Sequence, residues 1–367
     1  MDIAMHLPYQ RDPAIIALKE KAKEKGIPLY GTFELTSRCN LDCKMCYVHN
    51  QNSNACLQHE LTTAQWKWLM DSAYDAGMMF ALITGGECLL RKDFKELYLH
   101  MYNKGVIVSV NTNGTLINDD YIAFFAAHKP ERIQISLYGS KDNGYEKVTG
   151  HRQFQRVSAA IKGLQDAGIN IEVAITPNAY MKGDAEDIFR YLKKEKIRFQ
   201  VSNTLIEARD GETNDESRLT DEDRIEMAKD KAAVFGQQLA TPTCPAPKPC
   251  GDQTEQRYGM PCNAGTVRFC ITWQGKMIAC VSLPEISIDA MKNDFRTCWQ
   301  YIHDTMVTVK QPIECSGCAY EKVCGICPAV KYDGLFSGHC NKAHCNYLQK
   351  KYESGLLRYT DSGINNI

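Results

Sequence analysis

Between Leu29 and Asn203, six short apolar, β-rich runs alternate with stretches of amphipathic helical periodicity. The runs are LYGTFELT (29–36), MFALIT (79–84), VIVSVN (106–111), RIQISL (132–137), INIEVAIT (169–176) and IRFQVSN (197–203). Helices are expected near 62–76, 93–103, 118–127, 153–166 and 184–194. Such alternation predicts an α/β fold in which parallel strands are joined by right-handed crossovers. An open or partial (β/α)6 TIM-like barrel is the natural architecture, and a doubly wound sheet would give the same alternation. In either, chemistry sits at the C-terminal ends of the strands.

The unusual residues fall at those ends. The first strand runs into TSRCNLDCKMCY (36–47), the second into TGGEC (84–88), the third into NTNG (111–114) and the fourth into SLYG (136–139), so one pocket would collect all four. Cys39, Cys43 and Cys46 form CxxxCxxC within eight residues, which lets one loop wrap three thiolates around a single iron–sulfur cube. Such a cluster normally takes four cysteines, so three leave one iron open to a substrate. The competing readings are a zinc site completed by His49 or His59, and three incidental core cysteines.

Seventeen cysteines are the compositional anomaly, five in the first 240 residues and twelve between Cys244 and Cys345. Disulfide-dense folds are small and exported, and the opening residues MDIAMHLPYQRDP lack the basic and then apolar layout of a signal peptide. Metal chemistry in two zones is the better explanation. Between the zones lie the polar stretch EARDGETNDESRLTDEDR (207–224), a helical pattern to Leu239 and the Pro-rich TPTCPAPKPCGD, which read as a linker and domain boundary. The expected organisation is an N-terminal extension (1–28), a barrel (29–206), a linker with a bridging helix (207–240), a cysteine-rich domain (241–347) and a C-terminal tail (348–367). Lys+Arg 43 against Asp+Glu 44 leaves no global basic field for a nucleic acid. No apolar run reaches the roughly 18 residues of a membrane span, and a cytoplasmic protein is expected.

CxxxCxxC after the first strand and GGE after the second resemble the radical S-adenosylmethionine (SAM) superfamily. The resemblance implies a four-iron four-sulfur cluster on Cys39, Cys43 and Cys46 whose open iron is chelated by SAM. One electron then cleaves SAM to methionine and a 5′-deoxyadenosyl radical, which abstracts hydrogen from a substrate. By position, Gly85, Gly86 and Glu87 would receive the methionine amino group, since glycine lets backbone approach closely and a carboxylate suits an amine. Asn113 and Ser136 stand where the family contacts ribose, and Arg152 is a candidate for the SAM carboxylate. Met45 takes the place of the family's aromatic residue near adenine. Cys88 stands where proline is commoner; it is either a hydrogen donor to a substrate radical, as an epimerase needs, or a small buried filler.

The second zone resembles the SPASM domain, a C-terminal extension that holds two auxiliary clusters. Its frame is Cys262-x12-Gly275-x4-Cys280, then Cys315-x2-Cys318-x5-Cys324-x2-Cys327, then Cys340 and Cys345. By analogy one cluster takes Cys262, Cys280 and Cys327 with Cys250 or else Cys244. The other takes Cys315, Cys318, Cys324 and Cys345, with Cys340 competing for the last place. The pattern usually has three residues where Cys324 and Cys327 enclose two, and a zinc ribbon on the two CxxC pairs is the alternative. Cys56, Cys270 and Cys298 read as ordinary buried thiols, and at least one of Trp66 and Trp68 is expected at the surface.

The resemblance implies three [4Fe-4S] clusters, SAM and an electron donor such as ferredoxin or flavodoxin. The leading expectation is modification of a ribosomally made peptide by oxidation, crosslinking or epimerisation. The alternative is a small-molecule dehydrogenase or epimerase acting on a sugar or amino acid. Many peptide-modifying relatives begin with a winged-helix domain that grips a leader peptide. The roughly 28 residues before the first strand are too short for one, so a separate leader-binding partner is expected to supply it. Val281 stands where anaerobic sulfatase maturases carry aspartate, which argues against that branch.

Overall fold

A computed structural model describes residues 12–48, 59–202, 205–209, 215–242, 246, 256–316, 318–325, 327–331, 336–340, 343–360 and 363–366. Its frame is a nine-stranded sheet in the order β6-β5-β4-β3-β2-β1-β7-β8-β9. The first six strands are β1 (Tyr30–Glu34), β2 (Phe80–Thr84), β3 (Ile107–Thr112), β4 (Arg132–Ser136), β5 (Ile171–Ile175) and β6 (Phe199–Val201). All five pairings among them are parallel and every neighbour in space is a neighbour in sequence. A doubly wound sheet reverses direction at an interior strand. Here the order never reverses, which overturns that alternative and leaves the singly wound, partial-barrel arrangement.

After α1 (Pro13–Glu24), the crossover helices are α2 (Thr63–Asp75), α3 (Phe94–Tyr102), α4 (Asp119–Ala127), α5 (Asp142–Thr149), α6 (Phe154–Asp166) and α7 (Ala185–Lys194). Their starts are written locally. Thr62 and Gln65 form a reciprocal capping box on α2, and the Asn118 side chain accepts from Tyr121 N–H to start α4. Each helix lays an apolar stripe on the sheet: Trp66, Leu69, Met70 and Ala73 of α2 and Phe94, Leu97, Tyr98 and Met101 of α3 are buried. Trp66 is fully buried and Trp68 is 44% exposed, as their two-residue spacing requires. Helix α5 was not foreseen from its polar sequence DNGYEKVT. It forms because Tyr145 and Val148, three apart, both bury against the core.

The C-terminal third joins the same sheet. Strand β7 (Arg268–Ile271) pairs parallel with β1 in the register Tyr30↔Arg268 to Phe33↔Ile271, and β8 (Lys276–Ile278) and β9 (Ser287–Asp289) continue antiparallel. None of the three was expected. Helix α8 (Asp221–Phe235) is started by a Thr220–Asp223 capping box and ended by a left-handed Gly236. The remaining elements are α9 (Phe295–Val307), α10 (Pro328–Lys331), α11 (Ala343–Glu353) and the hairpin β10 (Leu357–Thr360) and β11 (Gly363–Asn366). Among the described residues no helix is long and apolar enough to cross a membrane.

Candidate metal and SAM site

Cys39, Cys43 and Cys46 lie on the loop that leaves the C-terminal end of β1, and neighbouring strand ends fasten that loop. Asn113, beyond β3, donates from Nδ2 to the Cys39 sulfur at 3.6 Å and to Asn40 Oδ1 at 2.9 Å. Leu41 N–H also donates to Cys39 at 3.4 Å. Tyr138, beyond β4, lies close enough to Cys43 to act on its thiol, and Cys43 in turn pushes the buried Tyr138 hydroxyl further up. Helix α5 receives the loop through Asp42 N–H to Thr149 O and Lys44 N–H to Val148 O, each 3.0 Å. Arg38 forks onto Glu60 at 2.9 and 3.1 Å.

Burial pushes the Cys39 thiol up to about 11, with the Glu87 charge adding to it and the Leu41 N–H only partly offsetting it. Burial, then the neighbouring Cys46 and Cys39, pushes Cys43 up further. The three sulfurs are near enough to feel one another's charge. Among the described residues, though, no three His, Cys, Asp or Glu side chains are gathered so as to hold a single metal ion. Buried, mutually repelling thiols gain most from a polycationic centre that deprotonates them together, and this donor chemistry fits a cluster.

The GGE turn is stitched to the same loop. Gly86 N–H donates to Thr36 O at 2.7 Å and Glu87 N–H to Arg38 O at 2.8 Å. A Cβ on Gly85 would stand 2.5 Å from Thr36 O, and one on Gly86 would stand 2.4 Å from Arg38 O. The glycines therefore serve a close approach of two backbone segments. Glu87 is fully buried and both its oxygens are occupied: Oε1 accepts from Leu89 N–H (3.0 Å), Oε2 from Asn113 N–H (2.7 Å), and both from the Thr112 hydroxyl (2.9 Å). Burial raises the Glu87 pKa, and these donors oppose the rise.

The other residues singled out in the sequence fall in different settings. Met45 packs in the core at 6% exposure, and Ser136 is half-buried at the end of β4. Cys88 is fully buried with its sulfur 3.4 Å from Asn111 O, and burial keeps it a neutral thiol. Arg152 lies at the surface, paired with Glu146 at 3.2 Å.

In the second zone Cys262 interacts electrostatically with Cys280 and Cys327, so residues 65 positions apart in sequence share one locality. Cys318 does the same with Cys315, Cys345 and Cys324, and burial pushes it up to about 11. Cys315 and Cys345 lie beside Cys340 and push its thiol up, so Cys340 stands next to the residue it competes with. Cys244, Cys250, Cys56 and His49 lie outside the described residues. Cys270 and Cys298 are buried.

Three residues that sequence reasoning passed over tie the two zones together. Arg209 grips Glu34, at the end of β1, and also donates to Val281 O at 3.3 Å, next to Cys280. Its backbone N–H donates to Tyr47 O at 3.0 Å, next to Cys46, and its guanidinium lies 5.1 Å from the Tyr47 ring centre. A carboxylate inside an otherwise apolar strand run was the available signal, since a buried charge requires a partner.

The comparisons with known proteins agree with this architecture. Residues 33–192 match the radical SAM superfamily model. The AdoMet-dependent heme synthase of Methanosarcina barkeri is 26% identical over 342 residues, covering 87% of this chain and 96% of that protein. The antilisterial bacteriocin subtilosin biosynthesis protein AlbA of Bacillus subtilis is 32% identical over 157 residues, covering 42% of this chain but only 34% of AlbA. The crystal structure of Streptococcus suis SuiB bound to S-adenosylmethionine superposes with a TM-score of 0.65 at 18% identity, covering 94% of this chain and 84% of SuiB. The chain carries a radical SAM domain and is homologous to the SPASM-type radical SAM enzymes. A cysteine-rich region follows that domain.

Proposed function

We propose that this chain uses SAM to make a radical that abstracts hydrogen from a ribosomally made peptide. The carrying observation is that Cys39, Cys43 and Cys46 share one loop at the end of β1, close enough to feel one another's charge, with Asn113 donating to the first sulfur at 3.6 Å. A [4Fe-4S] cluster held by these thiols would supply the electron that cleaves SAM. Asn113 orients the first thiol, and Glu87 fixes Asn113 by accepting its backbone N–H. Gly85, Gly86, Glu87, Asn113 and Ser136 are the proposed SAM contacts, with Met45 packing behind them. Because both Glu87 oxygens are already engaged, its main part is to position Asn113. Arg152 would have to leave Glu146 to reach SAM, so it is the weakest of the set. Cys88, neutral and buried, suits a filler, and a hydrogen-donor role requires the turn to open.

Cys262, Cys280 and Cys327, with Cys250 or Cys244, are proposed to hold one auxiliary cluster. Cys315, Cys318 and Cys324, with Cys345 or Cys340, are proposed to hold another. Peptide as substrate is supported by AlbA's role in subtilosin biosynthesis and by the structure of SuiB bound to precursor peptide SuiA. The second reading, a small-molecule substrate, is favoured by one observation: the heme synthase is matched over 96% of its length. The test is iron and labile sulfide per chain on anaerobically reconstituted protein, with an assay for 5′-deoxyadenosine after SAM and dithionite are added. About twelve irons with deoxyadenosine formed support three clusters; no deoxyadenosine overturns the reading.

A further inference from the structure

A cavity of about 400 Å³ lies where Pro177 and Val201 mark the ends of β5 and β6 and residues of helices α8 and α11 line it. Four cationic side chains line it: Arg218, which is paired with Asp215 at 2.9 Å, and Arg224, Lys231 and Lys351. The one carboxylate in the lining is Asp221, which accepts from Lys350 at 3.4 Å and lies 3.8 Å from Arg224. The cations are held in place. Arg224 lies 3.6 Å over the Tyr347 ring, and Lys351 Nζ donates to Asn366 Oδ1 at 2.7 Å. Burial, then Lys231 and Arg224, pushes Lys351 down to about 8, so the positive charges crowd one another. A concave, partly apolar site that concentrates one sign of charge raises the local concentration of the opposite ion.

We propose that this cavity binds carboxylates of the substrate, and that the substrate peptide is acidic where it docks. The placement supports the assignment, because His344 and Tyr347 of the lining flank Cys345, while Pro177 and Ser202 belong to the strand ends where barrel chemistry sits. A carboxylate held here lies beside the proposed auxiliary cysteines and the barrel mouth at once. The inference rests on the peptide reading for its substrate class, and a small polycarboxylate carries the same ligand chemistry.

The test is equilibrium binding to the reconstituted enzyme of a fluorescent hexaglutamate peptide, its hexaglutamine counterpart, and citrate. Hexaglutamate is expected to bind at least tenfold more tightly than hexaglutamine. Lys231→Gln and Lys351→Met are each expected to weaken it at least tenfold, and Lys162→Gln, at an exposed pair with Asp166, to leave it unchanged. Iron content and the thermal melt are measured on each variant. Should Lys351→Met fold poorly, the half-buried Lys231 decides the matter. Equal binding of the two peptides, or indifference to Lys231→Gln, overturns the cavity assignment and leaves the peptide reading standing. Citrate binding that Lys231→Gln abolishes, without hexaglutamate binding, keeps the carboxylate site and overturns the acidic peptide.

Discussion

Arg209 clasps Glu34 through two parallel hydrogen bonds, Nη1 to Oε2 at 2.6 Å and Nη2 to Oε1 at 2.9 Å, across 175 residues of sequence. Glu34 is 1% exposed, so neither charge can be left alone cheaply. Arg209→Met should cost about 3–5 kcal/mol, because it strands a buried carboxylate. Glu34→Gln combined with Arg209→Met should recover much of that loss. Denaturant unfolding of the single and double variants checks both; additive losses would contradict the pairing.

Gly86→Ala should disable the SAM site without unfolding the barrel. Its Cβ meets the Arg38 carbonyl at 2.4 Å, a backbone atom that cannot swing aside. The cluster loop must shift, and deoxyadenosine formation is expected to fall at least tenfold. At Gly168, where φ is +65° and an added Cβ meets nothing within 4 Å, alanine should cost only the left-handed strain, about 1–2 kcal/mol, with activity kept. Single-turnover assays beside melting curves separate the two.

Cys43→Ala should remove about four irons of about twelve and abolish SAM cleavage. Cys318→Ala should also remove about four irons yet leave uncoupled SAM cleavage measurable. Iron analysis with a deoxyadenosine assay on both variants tests whether the two zones hold separate centres.

Acid should loosen the anchor behind the GGE turn. Burial pushes Asp93 up, but hydrogen bonds from Arg91 and Thr63 outweigh it and hold the carboxyl below its ordinary value of 3.8. Arg91 is 7% exposed and also donates to Leu35 O and Leu61 O. A depressed folded pKa gives stability that is present above the unfolded value and lost as pH falls through the folded one. Asp93→Asn should therefore flatten the acid limb of the stability profile below about pH 4, read by urea unfolding at a series of pH values.

The elements and motifs legible in the sequence are those whose cause is local. CxxxCxxC spans eight residues, the crossover helices carry their own caps and stripes, and GGE sits one turn beyond its strand. What escaped depends on partners far away. Asn113 was placed near ribose, yet its amide reaches Cys39 across 74 residues. Arg209 sat in a polar stretch read as linker, among other cations equally able to answer Glu34. Strand β7 is only four residues long and is defined by its pairing with β1.

That pairing bears on how such proteins can be cut and recombined. With β7 in place, β1 is an interior strand, hydrogen-bonded on both sides. A chain ended at the linker would bare the β1 backbone as a sticky edge, the kind that recruits other copies into aggregates. The two halves are thus not exchangeable cassettes. A chimera that grafts the C-terminal third of a relative inherits a register to satisfy, Tyr30 opposite the residue that replaces Arg268, before any cysteine can find its place.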